Sequence, residues 1–397
     1  MFKEINFKNK WSLFGVFTLG FILRVLLSRF GYNYDHESWL IVGEITSTFK
    51  NIFAETSRYN YGFVWAYLIG LYYAVVTGLG LSLGFYRLLI IFTLTLADAG
   101  IAYFVYRKSN IKLAVLFFFN PISLFISGFH NQFDNIAIML ALFGILALEK
   151  AIKSNKLNKY DIFSLLLFSF SLITKHIVFT LPFWLFLNKN LILKRKLIYF
   201  AIPPMLFLFN FTLFLPDGWN NILNNVFLYD SYNNMPLISG FIPFFSTFHS
   251  SIFRNVFLVG MLIFGWLFRN EDLDRLVVLY LMVMFSITSA MANQYFVMPL
   301  VGLFLLGGVE KRVYLVWLSI YLIFQFDGLN LLNILFSFTT KDLLTESPLL
   351  HMGLQLISDF VRLSYSMAAW LVMITILRET GLLKKIGTKL LKKGAEL

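Results

Sequence analysis

The chain has 397 residues, of which 58% are hydrophobic and only 14% charged, with a net charge of +12 and no cysteine. A soluble domain carries about 25% charged residues, so this composition excludes a secreted globular enzyme, a disordered chain and a nucleic-acid module, and it points to a single membrane domain over 1–397. Disulfides, thiolate zinc sites and iron–sulfur clusters are excluded with the cysteines, and the five histidines are scattered without metal-ligand spacing; neither a metal nor a cofactor is expected.

A membrane-crossing helix needs roughly 20 mainly apolar residues. In chain order, apolar runs fall at 11–28, 85–106, 113–129, 133–149, 160–174, 177–190, 196–215, 251–268, 276–292, 296–309, 313–330 and 352–377. They are too continuous for alternating barrel strands and predict an all-α polytopic bundle of about twelve transmembrane helices. The first run follows Lys3, Lys8 and Lys10 and has no small-residue cleavage site, so it reads as a retained helix.

Most basic residues gather between particular runs: Arg107, Lys108 and Lys112; Lys150 to Lys159; Lys189 to Lys196; Arg269 and Arg275; Lys311 and Arg312; and the tail from Arg378 to Lys393. The positive-inside rule makes these connections and both termini cytoplasmic. The +12 is then a topology signal rather than a nucleic-acid surface, and the tail suits anionic lipid. Tyr61–Leu81 is apolar enough to cross, but crossing would export the basic loops. It is expected to lie on the outer side as an interfacial or re-entrant segment, its Tyr59, Tyr61, Trp65 and Tyr67 at headgroup level. The outer face then carries Phe30–Leu83, Gly128–Asp134, Pro216–Ser250 and Phe326–His351.

Four polar clusters stand out against this apolar background. Asp35 and Glu37 follow the first helix closely, where reduced solvent access raises a carboxylate toward a working base; an ordinary hydrated loop is the alternative. His130, Asn131, Gln132, Asp134 and Asn135 crowd one helical hairpin. They suit a sugar or phosphate, or else make a solvated turn with Asp134 as an N-cap. Lys175-His176 interrupts an apolar stretch, and an ionisable pair at membrane depth is a functional signal or a plain outer turn. Asn293-Gln294-Tyr295 has the same placement. Arg24, Asp98, Asp359 and Arg362 lie inside predicted helices and read as structural ion pairs.

Asp35-His36-Glu37, Glu44-Ile45-Thr46 and Asn60-Tyr61-Gly62 with Ala66-Tyr67 together resemble the first outer loop of GT-C membrane glycosyltransferases. The likeness is to the dolichyl- or polyprenyl-phosphate-sugar-dependent glucosyl- and mannosyltransferases. Gly62-Phe63 stands where that family has two prolines. The turn Ser127–Asn135 resembles the family's H-F-Q-Y-N turn, Thr174-Lys175-His176 with Pro182 its K-Q turn and proline, and Gln294-Tyr295 with Pro299 a late Q-Y motif. The resemblance covers about residues 1–300, including the outer loop 30–83; residues 301–397 add C-terminal helices and the basic tail.

The resemblance implies a GT-C-like bundle with outer juxtamembrane helices. It also implies an inverting hexosyltransferase of the cell envelope, with a polyprenyl-phosphate sugar donor and a glycan, lipid-linked or protein acceptor. By the motif match Asp35 is the base and Glu37 its second. Lys175 is the first phosphate ligand, and Arg58 and Arg254 are further outer-surface cations. His176, His130, Gln132 and Asp134 shape the sugar pocket, with Gln294 and Tyr295 on the opposite wall. His130 plus Asp134 is the one pair that could hold a divalent ion. The Lys, Asn, Ile and Phe richness suggests a bacterial cytoplasmic membrane, with the site facing outward. A transporter of lipid-linked sugars is the rival reading, and it calls for discontinuous helices and symmetric halves; a glycan polymerase or ligase calls for large arginine-rich outer loops.

Overall fold

The structure, a computed structural model, describes residues 10–228, 250–288, 292–327 and 348–382; the side chains of 10–11, 250–254, 324–327 and 348–359 fall outside it. The described residues are helical throughout, with no strand. They divide into two compact units. One holds Met1–Asp230, Val259–Leu281 and Ala292–Val301, and the other holds Ser231–Leu258, Met282–Met291 and Gly302–Leu397.

The first unit opens with α1 (Lys10–Ser28), α2 (Tyr34–Ser47), α3 (Ile52–Glu55), α4 (Phe63–Gly78) and α5 (Leu83–Lys108). Then come α6 (Ile111–Phe118), α7 (Pro121–Phe125), a π-helical turn (Ile126–His130), α8 (Asp134–Ala151) and α9 (Lys159–Thr174). A 3₁₀ turn (His176–Val178) leads to α10 (Leu181–Leu187) and α11 (Leu193–Phe209). In the second unit α12 (Val309–Asp327) packs on α13 (Pro348–Glu379); Tyr321 and Tyr365 meet edge to face at 5.9 Å, and Arg378 bonds Glu310 at 2.5 Å.

Among the described residues four helical segments are long and apolar enough to cross a membrane: Leu83–Lys108, Ile111–His130, Leu193–Phe214 and Phe360–Glu379. The sequence predicts about twelve. Among the described residues, some of those runs pair or bend in ways that hydropathy does not register. The runs 160–174 and 177–190 are one broken pair, Lys159–Thr174 and His176–Leu187, bent by 117° where Lys175 adopts an extended backbone (φ −155°, ψ 129°). Counting that pair as one crossing gives five. Several other runs form shorter helices, among them Ser12–Ser28, Asn255–Leu267 and Asn293–Leu306. Within the crossing-length segment Ile111–His130, α6 gives way to α7 at Asn120-Pro121, where Asn120 caps the Ser123 amide and Pro121 starts α7 in the one helical turn that needs no proline N–H. Within Tyr61–Leu81 the helix is α4, 16 residues packed on α2 and short of a full crossing.

The core of this unit is pinned by a buried ion network. Asp98 Oδ2 accepts from Arg24 Nη2 (2.8 Å), Arg24 Nε (3.2 Å) and Ser127 Oγ (2.6 Å), and Oδ1 accepts from Asn135 Nδ2 (3.0 Å). The remaining guanidinium protons reach Gly20 O, Phe118 O and Ser123 Oγ. The expected structural pairing of Arg24 with Asp98 is therefore present; the side chain of Asp359 lies outside the described residues. Gly128 lets the π turn touch α1, since a Cβ there would sit 2.7 Å from the Arg24 carbonyl oxygen.

Candidate functional site

The site is assembled where the start of α2, the hairpin turn before α8 and the break after α9 meet. Asn33 caps α2: its Oδ1 accepts from the Asp35 amide at 3.1 Å. Its Nδ2 donates to Asp35 Oδ2 at 3.0 Å and lies 2.9 Å from His130 Nδ1. Gln132 Nε2 donates a second bond to the same Asp35 Oδ2. Two amides therefore fix one carboxylate oxygen, while among the described residues no donor reaches Oδ1. Burial pushes the Asp35 carboxyl above its ordinary range. The Lys175 charge, the Asn33 bond and Arg58 oppose that rise, and Asp134 adds to it.

Gln132 is aimed by its neighbour. Asn131 sits in the left-handed region (φ 55°), which asparagine tolerates better than most residues. Its Nδ2 donates to Ser127 O and Gly128 O, and its carbonyl accepts from Trp39 Nε1 at 3.0 Å. Its Oδ1 accepts from Arg87 Nε at 2.8 Å. Arg87 also donates to Ser28 O, Gly31 O and Phe129 O, so one guanidinium ties the end of α1, the loop after it and the hairpin turn into a single frame.

Lys175 is 3% exposed and bonds Asp134 Oδ2 at 2.5 Å, with Nζ over the rings of Tyr61 (4.9 Å) and Phe133 (4.8 Å). Its ammonium, expected as a phosphate ligand, thus already has a carboxylate partner. His176 stacks on Tyr61 at 5.8 Å. His130 faces Asn33 while Asp134 faces Lys175, so the two point to different partners. Among the described residues no three His, Cys, Asp or Glu side chains converge in metal-binding fashion.

Glu37 is half exposed and faces Arg58 at 3.8 Å, an ion-pair rather than a hydrogen-bond distance. The Arg58 guanidinium lies 3.9 Å over the Tyr34 ring, and its Nε and Nη2 are buried without a hydrogen bond. Gln294 and Tyr295 lie half-buried in a 3₁₀ turn (Asn293–Val297) packed against α8 and the π turn, beside the hairpin that carries Gln132. The Arg254 side chain lies outside the described residues.

The segment between α2 and α4 is held down by residues 214–225. Asn51 Nδ2 donates to Phe214 O (2.9 Å), Asn221 Nδ2 to Phe53 O (2.7 Å) and Asn225 Nδ2 to Ser57 O (3.2 Å). Of the expected outer stretches, 229–249 and 328–347 fall outside the described residues. The departure at Gly62 has a steric cause: a Cβ there would lie 2.3 Å from Ile173 O and 2.9 Å from Asn210 Oδ1, so no proline fits. This close approach brings Tyr61 against Phe133 and His176.

Asn33 and Arg87 are site-building residues to which the sequence assigns no role, and Tyr61, expected at headgroup level, instead packs against Phe133, His176 and the Lys175 ammonium. Asn33 carries the N-cap signature directly before the acidic motif, and Arg87 is a charge inside an apolar run. A cavity of about 310 Å³ opens beside Arg87 and Ser28, and two of about 330 and 350 Å³ open away from the site. No family model matches the chain, and no curated protein matches it in sequence.

Proposed function

We propose that this chain is an inverting, GT-C-like glycosyltransferase that moves a sugar from a polyprenyl-phosphate donor to an acceptor hydroxyl at the outer face of a cell membrane, with both termini cytoplasmic. The observation that carries the reading is Asp35: a partly desolvated carboxylate with one oxygen fixed by two amides and the other open. That is the arrangement a general base needs, since the fixed oxygen orients the group and the open one takes the proton.

In this reading Asp35 Oδ1 removes the proton of the acceptor hydroxyl as that oxygen bonds to the anomeric carbon. The anomeric C–O bond breaks on the opposite face, its electron pair leaves on the polyprenyl phosphate, and the configuration inverts. The transition state is oxocarbenium-like, as in glycoside hydrolysis. Arg58, with two donor atoms unbonded, is the cation best placed to receive the phosphate. Lys175, neutralised by Asp134, supplies field and shape rather than a free ligand. His130, Gln132, Gln294 and Tyr295 border the same hairpin and shape the acceptor side.

The test is incubation of the purified protein with a panel of polyprenyl-phosphate sugars and acceptors, measuring released polyprenyl phosphate. Release by the parent and its loss in Asp35→Asn supports the reading; no release from any donor removes it. One observation favours a transporter instead: the 117° break at a buried lysine resembles the discontinuous helices of secondary transporters. Movement of lipid-linked sugar across proteoliposomes without cleavage would select that alternative.

A further inference from the structure

At the opposite end of α5 and α8 from Asp35, a cavity of about 350 Å³ opens between these helices and α9. Its mouth carries Arg107, Lys150 and Lys153, all exposed, and its inner wall is Phe143, Leu146 and Phe163. The carboxylate on the lining, Glu149, is already bonded to Lys108 at 2.6 Å, and Lys108 also holds Asp274 at 3.0 Å. Arg107 donates to Tyr103 Oη, and Lys150 and Lys159 lie near the Tyr160 ring at 5.6 and 5.5 Å. None of the three mouth cations forms an ion pair within 4 Å among the described residues, and Glu149, which also acts electrostatically on Arg107, is held by Lys108.

The surroundings match a membrane boundary. Tyr103, Tyr106 and Tyr160 expose 46%, 48% and 38% of their surface, and Phe163 exposes 55%. Tyrosine and basic side chains at the end of apolar helices form the usual interfacial belt. On the other side of Tyr103 lies a groove of about 330 Å³ between α1, α5 and α6, walled by Val16, Phe17, Ala99, Ala102, Ala114 and Val115. Tyr103 lines both spaces, so a basic mouth and an apolar trough adjoin at one residue.

We infer that this is a binding site for an anionic glycerophospholipid, its phosphodiester held by Arg107, Lys150 and Lys153 and its acyl chains along Phe143–Phe163 and the Tyr103 groove. A basic pocket between apolar helices selects an anionic headgroup by charge, while the trough selects a molecule with a long apolar tail. A free phosphate meets only the first requirement. The site is independent of the proposed transferase chemistry.

The full-length protein in detergent, titrated with phosphatidylglycerol, phosphatidylcholine of the same chains or glycerol phosphate and read by native mass spectrometry and thermal shift, tests this. Phosphatidylglycerol is expected to bind and to raise the melting temperature, with phosphatidylcholine at least about 10-fold weaker. The Lys150→Gln/Lys153→Gln pair should lose about 10-fold or more in phosphatidylglycerol affinity, and Lys150→Arg/Lys153→Arg should retain it. Both residues are exposed and in no ion pair, so the variants should fold like the parent. Equal binding of the two lipids overturns the proposal, as does an unchanged affinity in the double glutamine variant. Saturable binding of glycerol phosphate as tight as the lipid overturns the lipid assignment in favour of a soluble phosphate.

Discussion

Arg24–Asp98 and Lys175–Asp134, two of the buried ion pairs within the same unit, are built differently. Asp98 has both oxygens bonded, by a guanidinium, a hydroxyl and an amide, and Arg24 spends its remaining protons on two carbonyls and Ser123. Around Lys175 the accounting is incomplete: Asp134 Oδ1, Gln132 Oε1, Thr174 Oγ1 and His176 Nδ1 are buried without a hydrogen bond. A buried polar atom left unpaired costs about 1–3 kcal/mol. A fold gains nothing from four such atoms in one place, and the proposed transferase chemistry would use them to exchange protons and bind hydroxyls. The first pair is a clasp between helices; the second belongs to a cluster held short of its own satisfaction.

The clasp should fail hardest when broken. Asp98→Ala leaves Arg24 buried without a counter-charge, a loss of about 3–5 kcal/mol, visible as a large drop in melting temperature in detergent. Lys175→Met should also destabilise, by stranding Asp134, but Lys175→Met/Asp134→Leu should recover most of that loss because the second pair has few other bonds. Recovery of equal size in an Arg24→Met/Asp98→Leu variant would erase the distinction, since there Ser123, Ser127 and Asn135 lose their partners as well.

At the open cluster the expected damage is to rate. Asp35→Asn preserves size but cannot take a proton, so single-turnover transfer should fall by about 10²-fold or more at unchanged melting temperature. Glu37→Gln should be milder, because Glu37 is half exposed and lacks the two amide donors. Parental transfer by Asp35→Asn with a dead Glu37→Gln would relocate the base; parental transfer by both would leave the mechanism without one.

Gln132→Leu removes one of the two bonds on Asp35 Oδ2. One hydrogen bond to a charged group is worth about 1.5–3 kcal/mol at most, so a loss of roughly 10-fold in turnover is expected, with donor affinity unchanged. A Gln132→Leu variant that loses donor binding and keeps turnover would make this residue a sugar ligand rather than an orienting one.

The part of this arrangement legible in sequence was its membership. The D-x-E start, the polar hairpin and the Lys175-His176 interruption were all visible as polar residues in an apolar chain, and the fold brings Asp35, Gln132, Asp134 and Lys175 into one cluster. What was not legible was partnership. Lys175 finds Asp134 at a separation of 41 residues, and Arg87 finds Asn131 across 44; no local pattern encodes such pairs. The bends between apolar runs were not legible for a related reason. Hydropathy sums composition over a window, so it shows Lys175-His176 as a polar interruption but neither the 117° bend there nor the cap at Asn120.

The finest test of the comparison is the acid limb of the pH–rate profile. In the proposed mechanism transfer requires ionised Asp35, so activity should fall as pH drops through its pKa, which burial places above the ordinary carboxylate range. The Lys175 ammonium holds that pKa down, and the Asp134 carboxylate pushes it up. Removing the cation in Lys175→Met should therefore move the acid limb to higher pH, and removing the anion in Asp134→Asn should move it to lower pH. Lys175→Arg should leave it in place, and Lys175→Met/Asp134→Leu should return it toward the parent as the two fields cancel. Arg58→Gln should also shift it upward, by less than Lys175→Met, since Arg58 is the weakest of the named influences. Arg24 and Asp98 are not among those influences, so Asp98→Asn, wherever enough folded protein survives, should leave the limb unmoved. Opposite shifts from the two Lys175–Asp134 variants and none from the Arg24–Asp98 clasp would identify one pair as coupled to the proton-taking carboxylate and the other as structure alone. Shifts of the same sign in Lys175→Met and Asp134→Asn would mean that Asp35 is not the group that titrates.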